Sequence, residues 1–339
     1  MPDPTSEAGP RAGLASAEVV TFGECLASLL ATEPGPLAEV ASFRRYVAGS
    51  EANVAVGLAR LGHRVAYLGR VGDDGFGAAI VRKLRGEGVD VDGLHVVPGL
   101  RTGVMFRERR GAGPSEVIYH RAGSAGSTFE TADIQAAVAR GVFRGARRLH
   151  VSGITPALSV TTRAATIAAF DAADAAGLPM SLDLNLRRRL WSDEEARLAL
   201  RPLVTRCDVV LGSLEEAAIV AGVSTEAEPR IVAAALLDLG PNRVVLKLGA
   251  DGAASLGGDG SWVAVGAPSV VVVDPVGAGD AFCAGYLAAL LEGLDEEEAL
   301  ALGNACGASV AAAEGDLTGA PTRAEAERIG GTTAEQSLR

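Results

Sequence analysis

Residues 271–286 read VVVDPVGAGDAFCAGY, and this stretch decides how the rest of the chain is interpreted. A β-branched run ends at Asp274, a glycine turn follows over 277–279, and an apolar stretch with helical spacing begins after Asp280. The pattern predicts a strand, a tight turn and the start of a helix. Because the N–H groups of such a turn and the helix dipole attract anions, the negative charge of Asp280 needs an explanation.

Two explanations fit Asp280. The N–H groups of Gly277, Ala278 and Gly279 can hold the charge that develops on a transferring phosphoryl group. Asp280 would then be the general base for the attacking hydroxyl. In the second explanation Asp280 only caps the helix, because Asp is favoured in a first turn. The residues of the turn alone leave both open.

Outward from this stretch, strand patterns alternate with helical patterns along most of the chain. The alternation predicts an α/β fold, with a doubly wound, mostly parallel sheet and helices on both faces. Strand patterns cover residues 18–23, 64–72, 147–153, 179–185, 207–213 and 243–249, and helical patterns cover 51–62, 76–88, 159–176, 281–293 and 296–315.

Two stretches interrupt the alternation and predict a small inserted β lid. Residues 27–47 have little helical periodicity, and residues 100–121 read as short strands around the turn GAGPS. We therefore expect one domain over 18–314 that carries this lid. The N-terminal segment 1–17 is expected to be disordered, and the polar tail 315–339 to be loosely ordered.

The composition limits the function. The chain has 339 residues, nearly half of them apolar, and a net charge of −11 with scattered arginines. Nucleic acid and anionic membrane are therefore not expected as partners, because binding either needs a basic face. The four cysteines form no C-x-x-C pair, and the sequence shows neither a membrane-length apolar run nor a hydrophobic signal core. We expect a soluble cytoplasmic protein with buried free thiols.

Two common phosphate-binding motifs are absent. The chain has two lysines, Lys83 and Lys247, and neither lies in the P-loop pattern G-x-x-x-x-G-K-[ST]. The dinucleotide fingerprint G-x-G-x-x-G is expected after the first strand, where this chain reads TFGECLAS. The turn at 277–279 therefore remains as the candidate phosphate site.

Two motifs resemble the signatures of one enzyme family. DPVGAGDAFCAGY (274–286) is similar to D-T-x-G-A-G-D-x-F, the C-terminal signature of the ribokinase-like (PfkB) sugar kinases. AGSEANVAVGLARLG (48–62), followed by VGDDGFG (71–77), is similar to the N-terminal signature, and the resemblance extends over 18–314. It implies an ATP-dependent sugar kinase that uses Mg²⁺ with ATP and, in many members, a monovalent cation such as K⁺. The pair Pro-Val at 275–276 departs from the usual pair that contains Thr, so a hydroxyl contribution at 275 is lost.

The resemblance also implies roles for individual residues. Asp280 would be the catalytic base, beside an anion hole formed by 277–279. The segment KLGADG (247–252) matches a glycine turn that lies along the nucleotide, although a plain hairpin turn is the alternative. The residues implied to contact the nucleotide are Ser213, Lys247, Gly249, Gly252, Gly277, Gly279 and Asn304.

Two acidic residues are implied to serve cations. Glu216 would help to order Mg²⁺ through water, and Asp274 would lie near the monovalent cation. The segment SLEEA has Ser213 where the family usually has Asn. An ordinary first-turn acid of a helix is therefore the alternative for Glu216.

The acceptor side has its own candidates. A strand-to-helix turn that can hold sugar hydroxyls is formed by Gly49, Ser50, Glu51 and Asn53, with helix capping as the alternative. Tyr119 with Arg121, and Asn185 with Arg187, are spaced two residues apart, which puts both side chains of each pair on one face of a strand. The two arginines could converge on one carboxylate, because a guanidinium matches its geometry. Two unrelated surface arginines are the alternative.

The segments YHRAGSA (119–125) and DLNLRRRLW (183–191) resemble those that line the acid-sugar site of 2-keto-3-deoxygluconate kinases. The implied reaction is phosphoryl transfer to the terminal hydroxyl of that sugar acid, with its carboxylate held by Arg121 and Arg187. A fructokinase, or another ketose or ribose kinase, is the main alternative, because a neutral sugar needs neither arginine. A nucleoside kinase and a noncatalytic sensor of sugar acid or nucleotide remain open, and a homo-oligomer that pairs through the lid is expected.

Overall fold

The structure is a computed structural model that describes residues 17–109 and 116–336, with 331–336 described only as helix backbone. The segment 1–17, predicted to be disordered, lies outside the described residues except for Ala17. The predicted turn GAGPS at 111–115 lies outside them too.

The described residues contain thirteen strands. In chain order these are β1 Val19–Phe22, β2 Leu26–Ala31, β3 Phe43–Ala48, β4 Val65–Gly72, β5 Asp90–Val97, β6 Val104–Arg107, β7 Val117–His120, β8 Arg148–Ser152, β9 Met180–Asp183, β10 Val209–Ser213, β11 Arg243–Lys247, β12 Ala253–Gly257 and β13 Trp262–Val265.

The same residues contain ten α-helices. In chain order these are α1 Ser50–Arg60, α2 Gly75–Gly86, α3 Thr131–Ala139, α4 Val160–Ala176, α5 Asp193–Val204, α6 Leu214–Ala221, α7 Pro229–Leu237, α8 Ala278–Glu292, α9 Glu296–Ala311 and α10 Arg323–Gln336.

Nine strands form one sheet in the order β13-β12-β11-β10-β9-β8-β1-β4-β5. Every neighbouring pair from β11 to β5 is parallel, and the pairs β11–β12 and β12–β13 are antiparallel. This confirms the predicted doubly wound, mostly parallel sheet. The strand order reverses at β1, which lies between β8 and β4. Doubly wound folds bind ligands outside the carboxyl ends of the strands at such a reversal.

The second sheet has the order β3-β2-β6-β7. Its strands fall in the two stretches that interrupt the α/β alternation, and the sheet is consistent with the predicted inserted lid. β2 and β6 pair in parallel, while β2–β3 and β6–β7 are antiparallel. Since β2 begins shortly after β1 ends, the lid starts at the carboxyl edge of the main sheet.

Two apolar cores lie on opposite faces of the main sheet. Successive side chains of a strand point to opposite faces. Val19 of β1 joins the core formed with α1, α2, α8 and α9, whereas Val20 joins the core formed with α3 to α7. All four cysteines are buried free thiols, as predicted. No helix within the described ranges is both long enough and apolar enough to cross a bilayer.

The valine run before Asp274 is not a strand, so that prediction was wrong. Residues 266–277 are irregular, and Val271 is 84% exposed. The N–H groups of Val273 and Asp274 both donate to the carbonyl of Ala311 at the end of α9, at 2.8 and 3.1 Å. A β-branched run becomes a strand only where a neighbouring strand accepts its hydrogen bonds, and here a helix end accepts them instead.

The segment after Gly315 differs from the loosely ordered tail that we expected. Leu317, Ala320 and Ala326 are buried against the core that contains α9. Arg60 of α1 also donates to the carbonyl of Ala320 at 2.6 Å. These small apolar residues are too sparse to give a periodic pattern in the sequence, although tertiary packing buries them.

Glycines allow α8 to pack closely against two neighbouring helices. A Cβ on Gly57 of α1 would lie 2.6 Å from Cβ of Ala284, and one on Gly285 would lie 2.7 Å from the carbonyl oxygen of Leu302. Real Cβ atoms do not approach other atoms so closely, so any larger side chain must push the helices apart. The position of the N-terminus of α8 therefore depends on these contacts.

We expect Gly285→Ala to lower the free energy of unfolding by about 1–3 kcal/mol, because the added methyl group meets the backbone of α9. The control is Gly86→Ala in α2, where a Cβ would meet nothing within 4 Å. This change should leave stability unchanged or raise it by about 0.5–1 kcal/mol. Urea unfolding of both variants tests the prediction, and equal effects would contradict it.

Candidate active site

The predicted site residues gather at the carboxyl edge of the main sheet, around two cavities. The larger cavity has a volume of about 410 Å³ and the smaller one about 120 Å³. Ala278 and Gly279 line the larger cavity, and Gly277 and Asp280 line the smaller one. The first turn of α8 therefore borders both cavities, so a group bound in one lies beside the same turn as a group bound in the other.

Three side chains from distant parts of the chain hold the carboxylate of Asp280. Ser50 Oγ donates to Oδ1 at 2.7 Å, and Asn53 Nδ2 donates to Oδ2 at 2.7 Å. Asn185 Nδ2 donates to Oδ1 at 3.2 Å. Asp280 is only 9% exposed, so these donors replace the water that would otherwise solvate its charge.

Two helix N-termini meet at this carboxylate. Ser50 and Asn53 lie in the first turn of α1, and Asp280 lies in the first turn of α8. The positive ends of both helix dipoles therefore stabilise the negative charge. Gly277 precedes α8 with φ of 86°, a left-handed conformation that favours glycine.

Asn185 has an unusual backbone. It follows β9 with φ of 37°, and it is the one non-glycine residue with positive φ in the described part of the chain. Its Nδ2 donates to both Ser50 Oγ, at 2.8 Å, and Asp280. Asn tolerates this conformation better than most residues, and strained backbone of this kind is often found at functional sites.

Glu51 is a buried carboxyl group beneath the smaller cavity. Its Oε1 accepts hydrogen bonds from Thr155 Oγ1 and, at 3.2 Å, from the N–H of Ser152. Burial raises the pKa of Glu51 to about 8, although both hydrogen bonds favour the charged form. Gly23 packs directly on this carboxyl group, since a Cβ there would lie 2.4 Å from Oε2.

The structure brings Arg121 and Arg187 to the same small cavity, together with Tyr119. Arg121 already pairs with buried Glu24, whose Oε2 accepts from Nε at 2.7 Å and from Nη2 at 2.5 Å. Ser124 Oγ donates to the other oxygen of Glu24. The guanidinium of Arg121 also lies 5.5 Å from the centre of the Tyr119 ring. A buried acid therefore fixes Arg121 at the wall of the cavity.

Arg187 is in a different environment. Its side chain is 48% exposed, and its nearest carboxylate oxygen, Oε1 of Glu216, is 3.8 Å away. It also donates to the carbonyl of Leu186 at 3.1 Å. Arg187 thus keeps more of its positive charge available to the cavity than Arg121 does.

The larger cavity contains most of the residues predicted to contact a nucleotide. Its walls are mainly apolar and come from the irregular segment 266–277, α8 and α9. Asn304 lines it while its Nδ2 donates to the carbonyl of Val265 at 2.9 Å. Of the predicted residues, Lys247, Gly249, Gly252, Gly279 and Asn304 line this cavity, and Ser213 and Gly277 do not.

Residues 247–252 form the hairpin turn considered from the sequence, and their contact with a nucleotide stays a prediction. β11 and β12 pair as an antiparallel hairpin, and the turn of this hairpin lines the larger cavity. Gly252 has φ of 96°, and a Cβ there would lie 2.1 Å from the carbonyl oxygen of Val265. The close approach of two backbone segments therefore requires glycine at this position.

Lys247 lines the larger cavity and also pairs with an acid of strand β9. Its Nζ donates to Oδ1 of Asp183 at 2.6 Å, and a Cβ on Gly279 would lie 3.4 Å from the same Nζ. Burial lowers the pKa of Lys247, but Asp183, Cys283 and Glu216 together outweigh burial and raise it. Burial raises the pKa of Asp183 to about 6 despite the lysine. Oδ2 of Asp183 has no hydrogen-bond partner among the described residues.

Glu216 and Ser213 form a helix cap. Ser213 Oγ accepts from the N–H of Glu216 at 3.3 Å, and Oε2 of Glu216 accepts from the N–H of Ser213 at 2.9 Å. The other oxygen of Glu216 accepts from the N–H of Leu186 at 2.9 Å. The capping alternative therefore describes the geometry, and a role in ordering Mg²⁺ stays a prediction. Within 17–109 and 116–336, no cluster of three or more His, Cys, Asp or Glu side chains could hold a metal ion.

Asp274, which we expected near a monovalent cation, is paired with an arginine of the lid. Arg107 Nη2 donates to Oδ1 of Asp274 at 2.5 Å, and Nη1 donates to Oδ1 of Asp316 at 2.8 Å. The N–H groups of Val276 and Gly315 also donate to Asp274, at 3.2 Å each. Oδ1 of Asp274 thus contacts a guanidinium and Oδ2 accepts an N–H, so each oxygen already has a donor, and a K⁺ ion at this carboxylate stays a prediction.

No role was predicted from the sequence for Glu24, Arg107, Thr155 or Asp316. Arg107 did leave a signal, because it alternates with Met105 on a strand and therefore occupies a core-facing position. Burial raises the pKa of Asp316 to about 7, against the effect of Arg107. Asp316 directly follows the predicted helical stretch 296–315 and belongs to no recognised motif, so its position at the smaller cavity could not be predicted.

Comparison with known proteins identifies the relatives of this chain. A family model described as "pfkB family carbohydrate kinase" matches residues 16–323. The 2-dehydro-3-deoxygluconokinase of Bacillus subtilis is 37% identical over 90% of this chain and 93% of its own length. The 2-dehydro-3-deoxygluconokinase of Thermoproteus tenax is 38% identical over 92% of this chain and 93% of its own length.

A solved structure shows the same fold. A putative ribokinase II from Escherichia coli, in complex with ATP and Mg²⁺, is 27% identical to this chain. It aligns with a TM-score of 0.84 over 92% of this chain and 98% of its own length.

The raised pKa of Glu51 predicts a pH dependence of stability. In the unfolded chain this carboxyl group ionises above pH about 4.5, whereas in the folded protein it stays protonated up to pH about 8. The folded state therefore binds this proton more tightly, and the group stabilises the protein at low pH. This contribution is lost as the pH rises towards 8. Between pH 5 and 8, the unfolding free energy of the wild type should therefore fall relative to that of Glu51→Gln by roughly 3 kcal/mol.

Urea unfolding of both proteins at pH 5, 6.5 and 8 tests this prediction. Glu226→Gln is the control, because Glu226 is exposed. The control should follow the wild type at every pH. Parallel profiles for Glu51→Gln and the wild type would contradict the prediction.

Proposed function

The chain belongs to the pfkB family of carbohydrate kinases and is an ATP-dependent sugar kinase, and from this premise we propose that its acceptor is 2-keto-3-deoxygluconate, also named 2-dehydro-3-deoxygluconate. The observation that carries the proposal is the smaller cavity, which combines Asp280 with Arg121 and Arg187. The names of the two relatives described above support the same substrate.

In this proposal Asp280 is the general base. A carboxylate offers about four lone-pair positions, and Ser50, Asn53 and Asn185 donate three hydrogen bonds to it. One position therefore remains for the terminal hydroxyl of the sugar, whose proton Asp280 accepts as the oxygen attacks the γ-phosphoryl group. The three donors fix the orientation of the carboxylate before the substrate arrives.

The first turn of α8 is the proposed anion hole. Its N–H groups have no acceptor within the helix, and the helix dipole adds partial positive charge at the point where Gly277, Ala278 and Gly279 lie. The N–H of Ala278 is partly engaged, since it donates to the carbonyl of Pro275 at 3.3 Å. Lys247 lies beside Gly279 and can add positive charge on the side of the larger cavity, where we place ATP.

Mg²⁺ would enter with ATP and neutralise charge on the phosphates. The described residues fit this role, because Oδ2 of Asp183 is buried without a partner and Glu216 lies close enough to raise the pKa of Asp183. Glu216, which is partly exposed, would hold the water shell of the ion from the sheet side. Because the described residues contain no cluster of three or more metal-binding side chains, the ion would be held mainly by the phosphates.

The substrate carboxylate would contact both arginines. A guanidinium carries five N–H donors, and Glu24 accepts from only two nitrogens of Arg121, so the group can bind a second carboxylate. Because Glu24 already neutralises Arg121, Arg187 supplies most of the attraction for the substrate. The proposed lid would close over the sugar and exclude water that could otherwise hydrolyse ATP. Pairing of two copies through the lid stays a prediction.

Fructose is the second candidate acceptor. The pairing of Arg121 with Glu24 favours it, because this arginine then has a structural partner and needs no carboxylate from the substrate. A neutral ketose would use the same base and the same anion hole. The two candidates differ in whether Arg187 binds the substrate, because it would contact the carboxylate of the acid and has no such partner in fructose.

We expect Asp280→Asn to lower kcat by about 10²-fold or more, because the amide cannot accept the proton of the hydroxyl. Asp295→Asn is the matched control, since Oδ1 of Asp295 caps α9 by accepting a hydrogen bond from the N–H of Glu298. Asn caps a helix as well as Asp does, so the control should keep its activity. A loss of kcat below tenfold in Asp280→Asn would contradict the general-base role and support helix capping by Asp280.

We expect Arg187→Ala to raise the KM for 2-keto-3-deoxygluconate by about 10–100-fold with a smaller change in kcat, because a charge-assisted contact is lost. ADP release with this acid, fructose and ribose measures the effect in the wild type, Arg187→Ala and Arg121→Ala. Arg188→Ala is the control, because Arg188 pairs with Asp193 and Glu215 at the surface.

The Arg187 variant is the cleaner test, because Arg121→Ala would also leave Glu24 buried without its partner and destabilise the protein. Preferred turnover of fructose that neither arginine affects would leave the kinase activity standing and replace the proposed acid with the second candidate.

A further inference from the structure

We infer that Arg107 is a positioning residue for phosphoryl transfer. Arg107 lies at the end of the lid strand β6, and its guanidinium pairs with Asp274 and Asp316. Through these two acids it holds the turn at 277–279 in position. The guanidinium lies where the sequence predicts a monovalent cation. The inference rests on the proposed role of this turn as the anion hole, but it does not depend on which sugar is the acceptor.

The three groups form a closed ionic cluster. Arg107, Asp274 and Asp316 are 6%, 8% and 4% exposed, so none of the three is solvated by bulk water. One guanidinium nitrogen donates to each carboxylate, at 2.5 Å to Asp274 and 2.8 Å to Asp316. Two buried carboxylates near each other repel strongly, and the shared guanidinium offsets that repulsion. The cluster therefore keeps its geometry only while Arg107 is in place.

Both carboxylates are attached to the turn. Oδ1 of Asp274 accepts from the N–H of Val276, which directly precedes Gly277. The backbone of Asp316 packs against Gly277 so closely that a Cβ there would lie 2.7 Å from the carbonyl oxygen of Asp316. Asp316 and Arg107 also line the smaller cavity beside Asp280. A shift of either carboxylate would therefore move the start of α8.

The segment that contains Asp316 contacts the lid sheet through other residues as well. Glu314 accepts hydrogen bonds from Arg44 at 2.7 Å and from Tyr46 at 2.6 Å, and both donors lie on β3 of the lid sheet. Arg109 pairs with the same acid at 2.9 Å. These contacts reach the surface, whereas Arg107 alone among these four lid residues reaches Asp274. This difference provides a control for the experiment.

The Arg107 guanidinium supplies the positive charge that a bound cation would supply at the Asp274 carboxylate. A cation beside Asp274 would neutralise its charge and fix the segment that leads into the anion hole. Arg107 does the same through a covalent link to the lid. Pairing of the Asp274 carboxylate with a cationic group therefore requires no free ion, and it follows the position of the lid.

The experiment measures kcat and KM of Arg107→Met, Arg107→Lys and Arg109→Met with ATP and the best acceptor of the panel, in buffers whose monovalent cation is K⁺, Na⁺ or tetramethylammonium. We expect Arg107→Met to lower kcat by about 10²-fold with changes in KM below about threefold, because the reacting groups bind but are misplaced. Arg107→Lys should recover part of the loss, and Arg109→Met should resemble the wild type. Wild-type turnover should be equal in the three buffers.

Two further measurements separate positioning from misfolding. In the double variant Arg107→Met/Asp316→Asn one unpaired carboxylate is neutralised, so the protein should regain stability while kcat stays low. Hydrogen exchange of the amides over 277–281 should be faster in Arg107→Met than in Arg109→Met, and this comparison needs no substrate. If the wild type phosphorylates no sugar of the panel, the proposed acceptor fails, while the exchange comparison still decides the present inference.

Three results would overturn the inference. The first is equal kcat for Arg107→Met and Arg109→Met. The second is a wild type that loses at least about tenfold in turnover without K⁺, because the guanidinium would then not replace the ion. The third is unchanged exchange over 277–281 in Arg107→Met.

Discussion

The site depends on one carboxylate that lies in a nearly dry place and is held there by donors from distant segments. Asp280 is 9% exposed, and burial of an unpaired charge is costly. Ser50, Asn53 and Asn185 replace the lost water, and the N-termini of α1 and α8 add positive potential. This solution requires two helices to begin at the same point, and that in turn requires the close contact between Gly57 and Ala284.

Other buried acids near the cavities also have their charges compensated, in their case by a paired cation. Glu24 pairs with Arg121, Asp183 with Lys247, and both Asp274 and Asp316 with Arg107. A protein with a net charge of −11 thus places its cations next to buried acids at the cavities. Each pair joins different segments of the chain, so the charges fix the relative positions of strand ends, lid and helix α8. Their value lies in geometry, because a buried ion pair adds little net stability.

Much of the fold could be predicted from the sequence, because the periodicities of buried strands and amphipathic helices are local properties. The strand and helix patterns, the lid stretches and the turn at 277–279 were all visible in that way. The valine run before Asp274 was misassigned, because its composition favours a strand but no neighbouring strand is present to pair with it. The buried residues after Gly315 were missed, because they are few and follow no period.

The sequence by itself determined the fold class, the family and the list of candidate residues, since these depend on local pattern and on motifs that keep their order along the chain. Only the tertiary structure decided the partners of these residues. Arg121 meets Glu24, which is 97 positions away, and Asp274 meets Arg107, which is 167 positions away. The physical reason is that an ionic contact depends on distance in space, and residues so far apart along the chain carry no local signal of their approach.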